Sequence, residues 1–233
     1  MMNRAFKISA QGNASDVRVH GISLYTGGYD ADSRTVLLLK LDEGFGSRAV
    51  DYSGNRNDGT ITGGEWVQGK YGYGLKLDGI NDKIVIPHNP TLNLNGSFCI
   101  EGWVKGEFDG TQALIAKKDS YYIEFSKHNN NKIKFRASIY KNGTEKKITS
   151  NGASKLNEWT HVAFQRSEDG HLSLVVNGVE DKVSDFTCGV PDMNENTLFI
   201  GCEDGDDHFF QGNIDEIRIS NIYRSIPSLD PNI

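Results

Sequence analysis

Nine residues, Asp51-Tyr52-Ser53-Gly54-Asn55-Arg56-Asn57-Asp58-Gly59, crowd carboxylates, amides and glycines into one short stretch. Calcium takes about six to eight oxygens from carboxylates, amides and backbone carbonyls. Asp51, Asn57 and the backbone carbonyls near Gly54 would supply part of such a set, and Asp215, far along the chain, is the residue to close it. The spacing is not that of an EF-hand, and an Asx-turn loop without an ion is the alternative reading. A second acidic run, Glu203-Asp204-Gly205-Asp206-Asp207, precedes His208-Phe209-Phe210 and reads as a solvated loop.

Carboxylates can also be catalytic. Glycoside hydrolysis needs two, about 5–5.5 Å apart for retention or about 6.5–9.5 Å for inversion. Asp215 and Glu216 are adjacent, and strand alternation sends adjacent side chains to opposite faces. Glu101 and Glu124 are lone acids in strand-like runs. With no nucleophile elbow, phosphate loop or zinc spacing either, no enzyme is expected. Sugar binding has more to draw on, because rings stack on a pyranose while amides and carboxylates hold its hydroxyls. Tyr121-Tyr122, Tyr140, the Asn129-Asn130-Asn131 turn, Tyr71 and Tyr73 offer such groups, although none is singled out as a ligand residue. Trp103 and Trp159 read as core anchors, and His161 as a hydrogen-bonded structural residue.

Composition excludes several partners. With 31 acidic against 25 basic residues and a net charge of -6, the chain lacks the concentrated basic surface that nucleic acid requires. Lys141, Lys146 and Lys147 read as solubility devices on an edge strand. No apolar run approaches the roughly 18 residues that mark a membrane helix, so no membrane insertion is expected. Cys99, Cys188 and Cys202 cannot all pair; reduced thiols are expected, with a Cys188–Cys202 bridge left open. Met1 to Lys7 lacks the apolar core of a signal peptide, so synthesis in a cytoplasm is expected.

The elements that position these residues are strands. Period-two or continuous β-type runs recur at Thr35–Leu41, Leu75–Asp78, Lys83–Pro87, Phe98–Lys105, Gln112–Lys117, Tyr121–Ser126, Lys132–Tyr140, Lys146–Ser150, Thr160–Arg166, Leu172–Val176, Thr197–Gly201 and Gly212–Ser220. Asp78-Gly79, Asn142-Gly143, Asp169-Gly170 and, most clearly, Asn177-Gly178 supply hairpin chemistry. A dozen strands without helices between them predict an all-β, antiparallel two-sheet β-sandwich. Residues 1–34 read as an appended N-terminal arm or hairpin, and 35–233 as the sandwich.

From Leu37 onward the chain resembles the laminin G-like (concanavalin A-like lectin/glucanase) family. Its marks come in order: Leu39-Lys40-Leu41-Asp42-Glu43-Gly44, the Asp51–Gly59 loop, Gly69-Lys70-Tyr71-Gly72-Tyr73-Gly74-Leu75-Lys76-Leu77-Asp78-Gly79, and Phe98-Cys99-Ile100-Glu101-Gly102-Trp103. Then follow Trp159-Thr160-His161-Val162-Ala163, Val176-Asn177-Gly178, Leu198-Phe199-Ile200-Gly201 and Gly212-Asn213-Ile214-Asp215-Glu216-Ile217-Arg218-Ile219. The resemblance implies a concanavalin A-like jelly roll. It also implies a structural calcium at Asp51, Gly54, Asn57 and Asp215. The fold hosts lectins, glycanase accessory modules, adhesins and virion proteins alike. The Glu-x-Asp-x-x-Glu triplet of laminarinase-type relatives is absent.

The expectation is therefore a non-catalytic binding or adhesion module for a carbohydrate or cell-surface ligand, displayed on a larger assembly such as a phage or virus particle. Residues 1–34 would dock other structural proteins, adding a strand to a neighbour's sheet. The alternatives are a purely structural virion protein, as capsid decoration or tail-fibre component, and then a glycan-active enzyme.

Overall fold

The computed structural model describes residues 28–106, 110–128, 132–152 and 154–226. They form two antiparallel sheets, as expected. One sheet holds β1 (Thr35–Leu39), β4 (Glu65–Gln68), β5 (Tyr73–Asp78), β7 (Phe98–Gly106), β13 (Thr160–Arg166), β14 (His171–Val176), β15 (Val179–Thr187) and β17 (Gln211–Ser220). Its order is β15-β14-β13-β7-β17-β5-β4, with β1 also paired to β17. The other holds β2 (Arg48–Ala49), β3 (Gly59–Thr62), β6 (Lys83–Ile86), β8 (Thr111–Lys117), β9 (Tyr121–His128), β10 (Lys132–Lys141), β11 (Thr144–Thr149), β12 (Ser154–Lys155) and β16 (Leu198–Ile200). It runs β11-β10-β9-β8-β16-β6-β3-β2, with β12 on β10.

Alternation decides which residues meet between the sheets. In β7, Phe98, Ile100 and Val104 enter the central core with Val162 and Phe164 of β13. The residues between them, Cys99, Glu101 and Trp103, point the other way and are also buried. A second layer covers that outer face: Ile226 packs on Cys99, Ala163 and Val175, and the Arg218 guanidinium lies 4.0 Å from the centre of the Tyr29 ring. This is why β7 and β13 read as continuous rather than alternating burial. The proposed arm falls mostly on residues 1–27, which lie outside the described residues.

The hairpin chemistry appears where expected. Asn177 (φ 50°) and Gly178 (φ 76°) turn β14 into β15, and Asn142 (φ 51°) and Gly143 (φ 69°) turn β10 into β11. Paired positive φ values are what a two-residue primed turn demands. Strands β2, β3, β4, β12 and β15 carry no clear signal in sequence: four are two to four residues long, and β15 is a largely exposed edge strand of sequence VEDKVSDFT.

One strand departs from simple alternation. Ile214 and Ile217 both reach the central core, although they are three residues apart. The register of β17 against β7 shifts between Asp215 and Arg218, and Glu216 takes a left-handed φ of 49°. This bulge turns both Asp215 and Glu216 away from the core. The expectation that they face opposite sides is therefore corrected, because a bulge inserts one residue out of phase.

Candidate functional site

A cleft of about 320 Å³ opens at the end of the sandwich where β13 begins, beside β12 and the β14–β15 turn. Trp159, just ahead of Thr160, sits half-buried in its wall. The preceding turn aims it: Asn157 adopts φ 60° and its N–H donates to the Gly106 carbonyl at 3.1 Å. Phe135 and Val176 give the lining apolar surface, and Asn177 and Asp181 give it polar groups. Asn177 is fixed from two directions. Its Oδ1 accepts from His161 N at 2.9 Å, and its own N–H donates to the His161 carbonyl at 2.9 Å. Asp181 accepts from Gly152 N at 2.9 Å, which ties the β11–β12 loop to β15. At the mouth, Lys155 and Glu158 pair at 3.2 Å, both well exposed.

Such a cleft offers an indole and apolar surface together with an amide, two carboxylates and an ammonium at its rim. That combination holds a ring with one apolar face and several hydroxyls. The reading of Trp159 as a core anchor is thus corrected: it follows a turn and ends at a strand mouth, where only part of the ring is covered. The Asn157-Glu158 turn ahead of it was the available signal. Trp103, in contrast, is 1% exposed, capped by Lys70 Nζ at 4.7 Å from the ring centre and by the Tyr71 edge.

The other aromatic candidates disperse. Tyr121 is fully buried, its hydroxyl donating to the Leu92 carbonyl at 3.0 Å. Tyr122 packs against Tyr140 with centroids 5.7 Å apart. Tyr73 is 52% exposed but begins β5, with its ring against Gly44, and does not line the cleft. Asn129 to Asn131 lie outside the described residues. His161 is structural, as read from sequence: its Nε2 lies 3.2 Å from Glu101 Oε2. Glu101 Oε1 meanwhile accepts from Arg218 Nε at 2.8 Å. Burial opposes the charge on Glu101, but His161 and Arg218 outweigh it and hold the carboxyl down at about 2. Glu124 pairs with Arg136. In the 203–208 loop, Asp204 meets Lys118 at 3.3 Å and Asp206 meets Lys83 at 3.9 Å, so that run is a solvated, ion-paired loop.

The four residues expected to hold calcium do not act together. Asp51 is a hub of hydrogen bonds. Its Oδ1 accepts from Leu38 N and Ser53 N, each at 2.9 Å, and its Oδ2 from Asn57 N at 2.9 Å, with Ser53 Oγ at 2.8 Å. Three backbone N–H groups thus occupy most of the Asp51 carboxylate, while the single Ser53 hydroxyl proton lies within reach of both Asp51 Oδ2 and the Val36 carbonyl. Asn57 is buried, and its Nδ2 donates to the Val36 carbonyl at 2.9 Å. Gly54 supplies the φ of 88° that closes the loop. The loop makes the hydrogen bonds of the Asx-turn alternative, and it also leaves Asn57 Oδ1 buried without a partner. Asp215 belongs to a different neighbourhood. Its Oδ2 accepts from Tyr71 N at 2.9 Å, its Oδ1 is buried without a partner, and so is Glu216 Oε1. Burial pushes Asp215 up to about 8 and Glu216 up to about 7. Among the described residues no three His, Cys, Asp or Glu side chains form a ready metal cluster. All three cysteines are free thiols.

Comparison with known proteins agrees with this architecture. No curated protein matches the chain. Domain 4 of AbnA, an extracellular GH43 arabinanase from Geobacillus stearothermophilus solved with arabinotriose, superposes with a TM-score of 0.61 at 23% identity, over 85% of this chain and 95% of that one. The binding domain of Paraclostridial mosquitocidal protein 1 gives 0.64 at 16% identity, over 85% and 50%. The binding domain of botulinum neurotoxin DC in complex with SialylT gives 0.57 at 14%, over 86% and 50%. The chain thus spans nearly all of the arabinanase domain and half the length of the toxin domains, and at these identities the likeness is one of fold. A family profile matches residues 78–227, well over half of the sequence, and by it the chain belongs to the concanavalin A-like lectin/glucanases superfamily.

Proposed function

We propose that this chain is a non-catalytic carbohydrate-binding module whose ligand enters the Trp159 cleft. The observation that carries the reading is a half-buried indole lining one cleft together with Asn177, Asp181, Phe135 and Val176. The arabinotriose and SialylT complexes of structurally similar domains support it. Glu101, one of the acids buried in this sheet, is tied up by Arg218 and His161 and so is not free for catalysis. Display on a larger assembly, with residues 1–34 docking to a partner, belongs to the same proposal. The experiment is a glycan array with wild type and Trp159→Ala. Binding to one glycan class that the variant loses, with unchanged melting, is expected. An empty array for a folded wild type, or full retention by the variant, overturns the reading.

For calcium, the bare buried side-chain oxygens at the expected residues are Asn57 Oδ1 in the loop and, in a separate neighbourhood, Asp215 Oδ1. There Asp215 and Glu216 each present a bare buried oxygen, which is the local chemistry that a divalent cation satisfies. A melting temperature that drops in EDTA for wild type but not for Asp215→Asn supports this reading. An unchanged melt removes it.

A further inference from the structure

A second groove, about 370 Å³, lies on the outer face of the first sheet and is lined by Lys76, Lys105, Gln211, Gly212, Asn213 and Asn157. We propose that it binds the oxyanion of an acidic saccharide, a carboxylate or a sulfate, between Lys76 and Lys105.

The register sets the geometry. Asn213 of β17 pairs with Lys76 of β5 on one side and with Lys105 of β7 on the other. Directly paired residues share a face, so Lys76, Asn213 and Lys105 form one row across three adjacent strands. Strands sit about 4.8 Å apart, which puts the two lysine backbones roughly 10 Å apart. Their long stems can bring both ammonium groups over the Asn213 amide, leaving room for one anion between them. Gly212 keeps the floor bare. It is buried with a φ of 148°, and a Cβ there would meet the Lys105 carbonyl oxygen at 2.5 Å.

Among the described residues, Lys76 and Lys105 share an unpaired charge with Lys134, Lys146 and Lys182, and what sets them apart is the row they form through Asn213. Lys40, Lys83, Lys118, Lys141, Lys147 and Lys155 each have a carboxylate within 4.0 Å. Lys76 and Lys105 form no ion pair with any described residue. None of the described acids nearest in register forms an ion pair with them. Glu65 stands opposite Lys76 without an ion pair. Asp78, two residues along, turns its Oδ1 to the N–H groups of Ile80 and Asn81. Asp215 is buried and bound to Tyr71 N. Nor are these edge-strand lysines placed to block aggregation, because β5 and β7 are both interior strands. Gln211 and Asn157, both exposed, add amide donors beside the row. Bidentate capture of an oxyanion by two ammonium groups and an amide is strong, charge-assisted hydrogen bonding.

The test is calorimetric titration of the full chain with a heparin hexasaccharide, an oligogalacturonate and a neutral arabino-oligosaccharide, at 20 and 300 mM NaCl. At low salt, wild type is expected to bind one or both acidic probes. Affinity should fall about tenfold or more in Lys76→Ala/Lys105→Ala and be kept in Lys76→Arg/Lys105→Arg. Binding of the neutral arabino-oligosaccharide, where present, should be the same in Lys76→Ala/Lys105→Ala as in wild type, which separates the groove from the cleft. Binding of heparin alone assigns sulfate, and of oligogalacturonate alone carboxylate. No binding of either acidic probe by folded wild type overturns the proposal, as does equal binding by the double alanine variant.

Discussion

Replacing Asp51 separates two readings of its loop by magnitude. Three backbone N–H groups, from Leu38, Ser53 and Asn57, converge on its carboxylate, and the residue is 8% exposed. Hydrogen bonds to a charged group contribute about 1.5–3 kcal/mol each, and losing one partner leaves the other buried and unsatisfied. The three are coupled through one loop, so they do not add fully, and Asp51→Ala should cost about 3–5 kcal/mol. For a chain of this size that lowers the melting temperature by roughly 10 °C. Asp51→Asn keeps Oδ1, which serves Leu38 and Ser53, and loses Oδ2, which serves Asn57; it should cost about half as much. Urea unfolding of the three proteins, in EDTA and again in calcium, reads these values. A hydrogen-bond hub gives the same loss in both buffers. A loss below about 1 kcal/mol in EDTA, smaller than one charge-assisted hydrogen bond, together with a large loss in calcium would refute the reasoning and return Asp51 to the metal.

Two further outcomes follow from the buried polar groups. Glu101 is held at about 2 in the fold against about 4.3 when exposed. Its stabilisation is therefore complete above about pH 4.5 and is lost as pH falls toward 2. Glu101→Gln should weaken the protein at pH 7 by about 3–5 kcal/mol, since Arg218 and His161 stay buried, and should flatten the acid slope. Equal slopes by urea unfolding at pH 7 and pH 3 would contradict that. Cys188 is half-buried, whereas Cys99 and Cys202 are enclosed, and burial pushes the Cys202 thiol up to about 11. A thiol reagent should label Cys188 alone in the native state and all three after denaturation. Two unreactive thiols after denaturation under non-reducing conditions would instead mean a Cys188–Cys202 bridge.

The sandwich was legible because its long strands carry burial directly in their sequence, as Phe98 to Gly106 and Thr160 to Arg166 do. The turns were legible because Asn177-Gly178 and Asn142-Gly143 are required by their φ values. The site was less so. Period-two reasoning misplaced Glu216, because a bulge leaves no mark in residue type. The Asp51 loop has the composition of a cation shell, yet the same oxygens serve equally well for backbone N–H groups, and only the fold decides between them. Trp159 lies in a strand-like run, and its partial exposure comes from where the sheet ends. The Lys76–Lys105 row joins residues from distant strands and exists only through the pairing with β17.

The position of that last strand also governs how the chain can be made. Residues 211–220 pair with β1, β5 and β7, so the middle of a sheet is supplied by the final tenth of the sequence. A nascent chain whose residues 211–220 have not yet emerged from the ribosome holds β15-β14-β13-β7, β5-β4 and β1 as separate pieces, their facing edges bare to neighbours. The dominance of such non-local pairing predicts slow folding, and it places closure of the sheet after residues 211–220 have emerged. A nonsense mutation near residue 210 would therefore remove the keystone rather than trim an end.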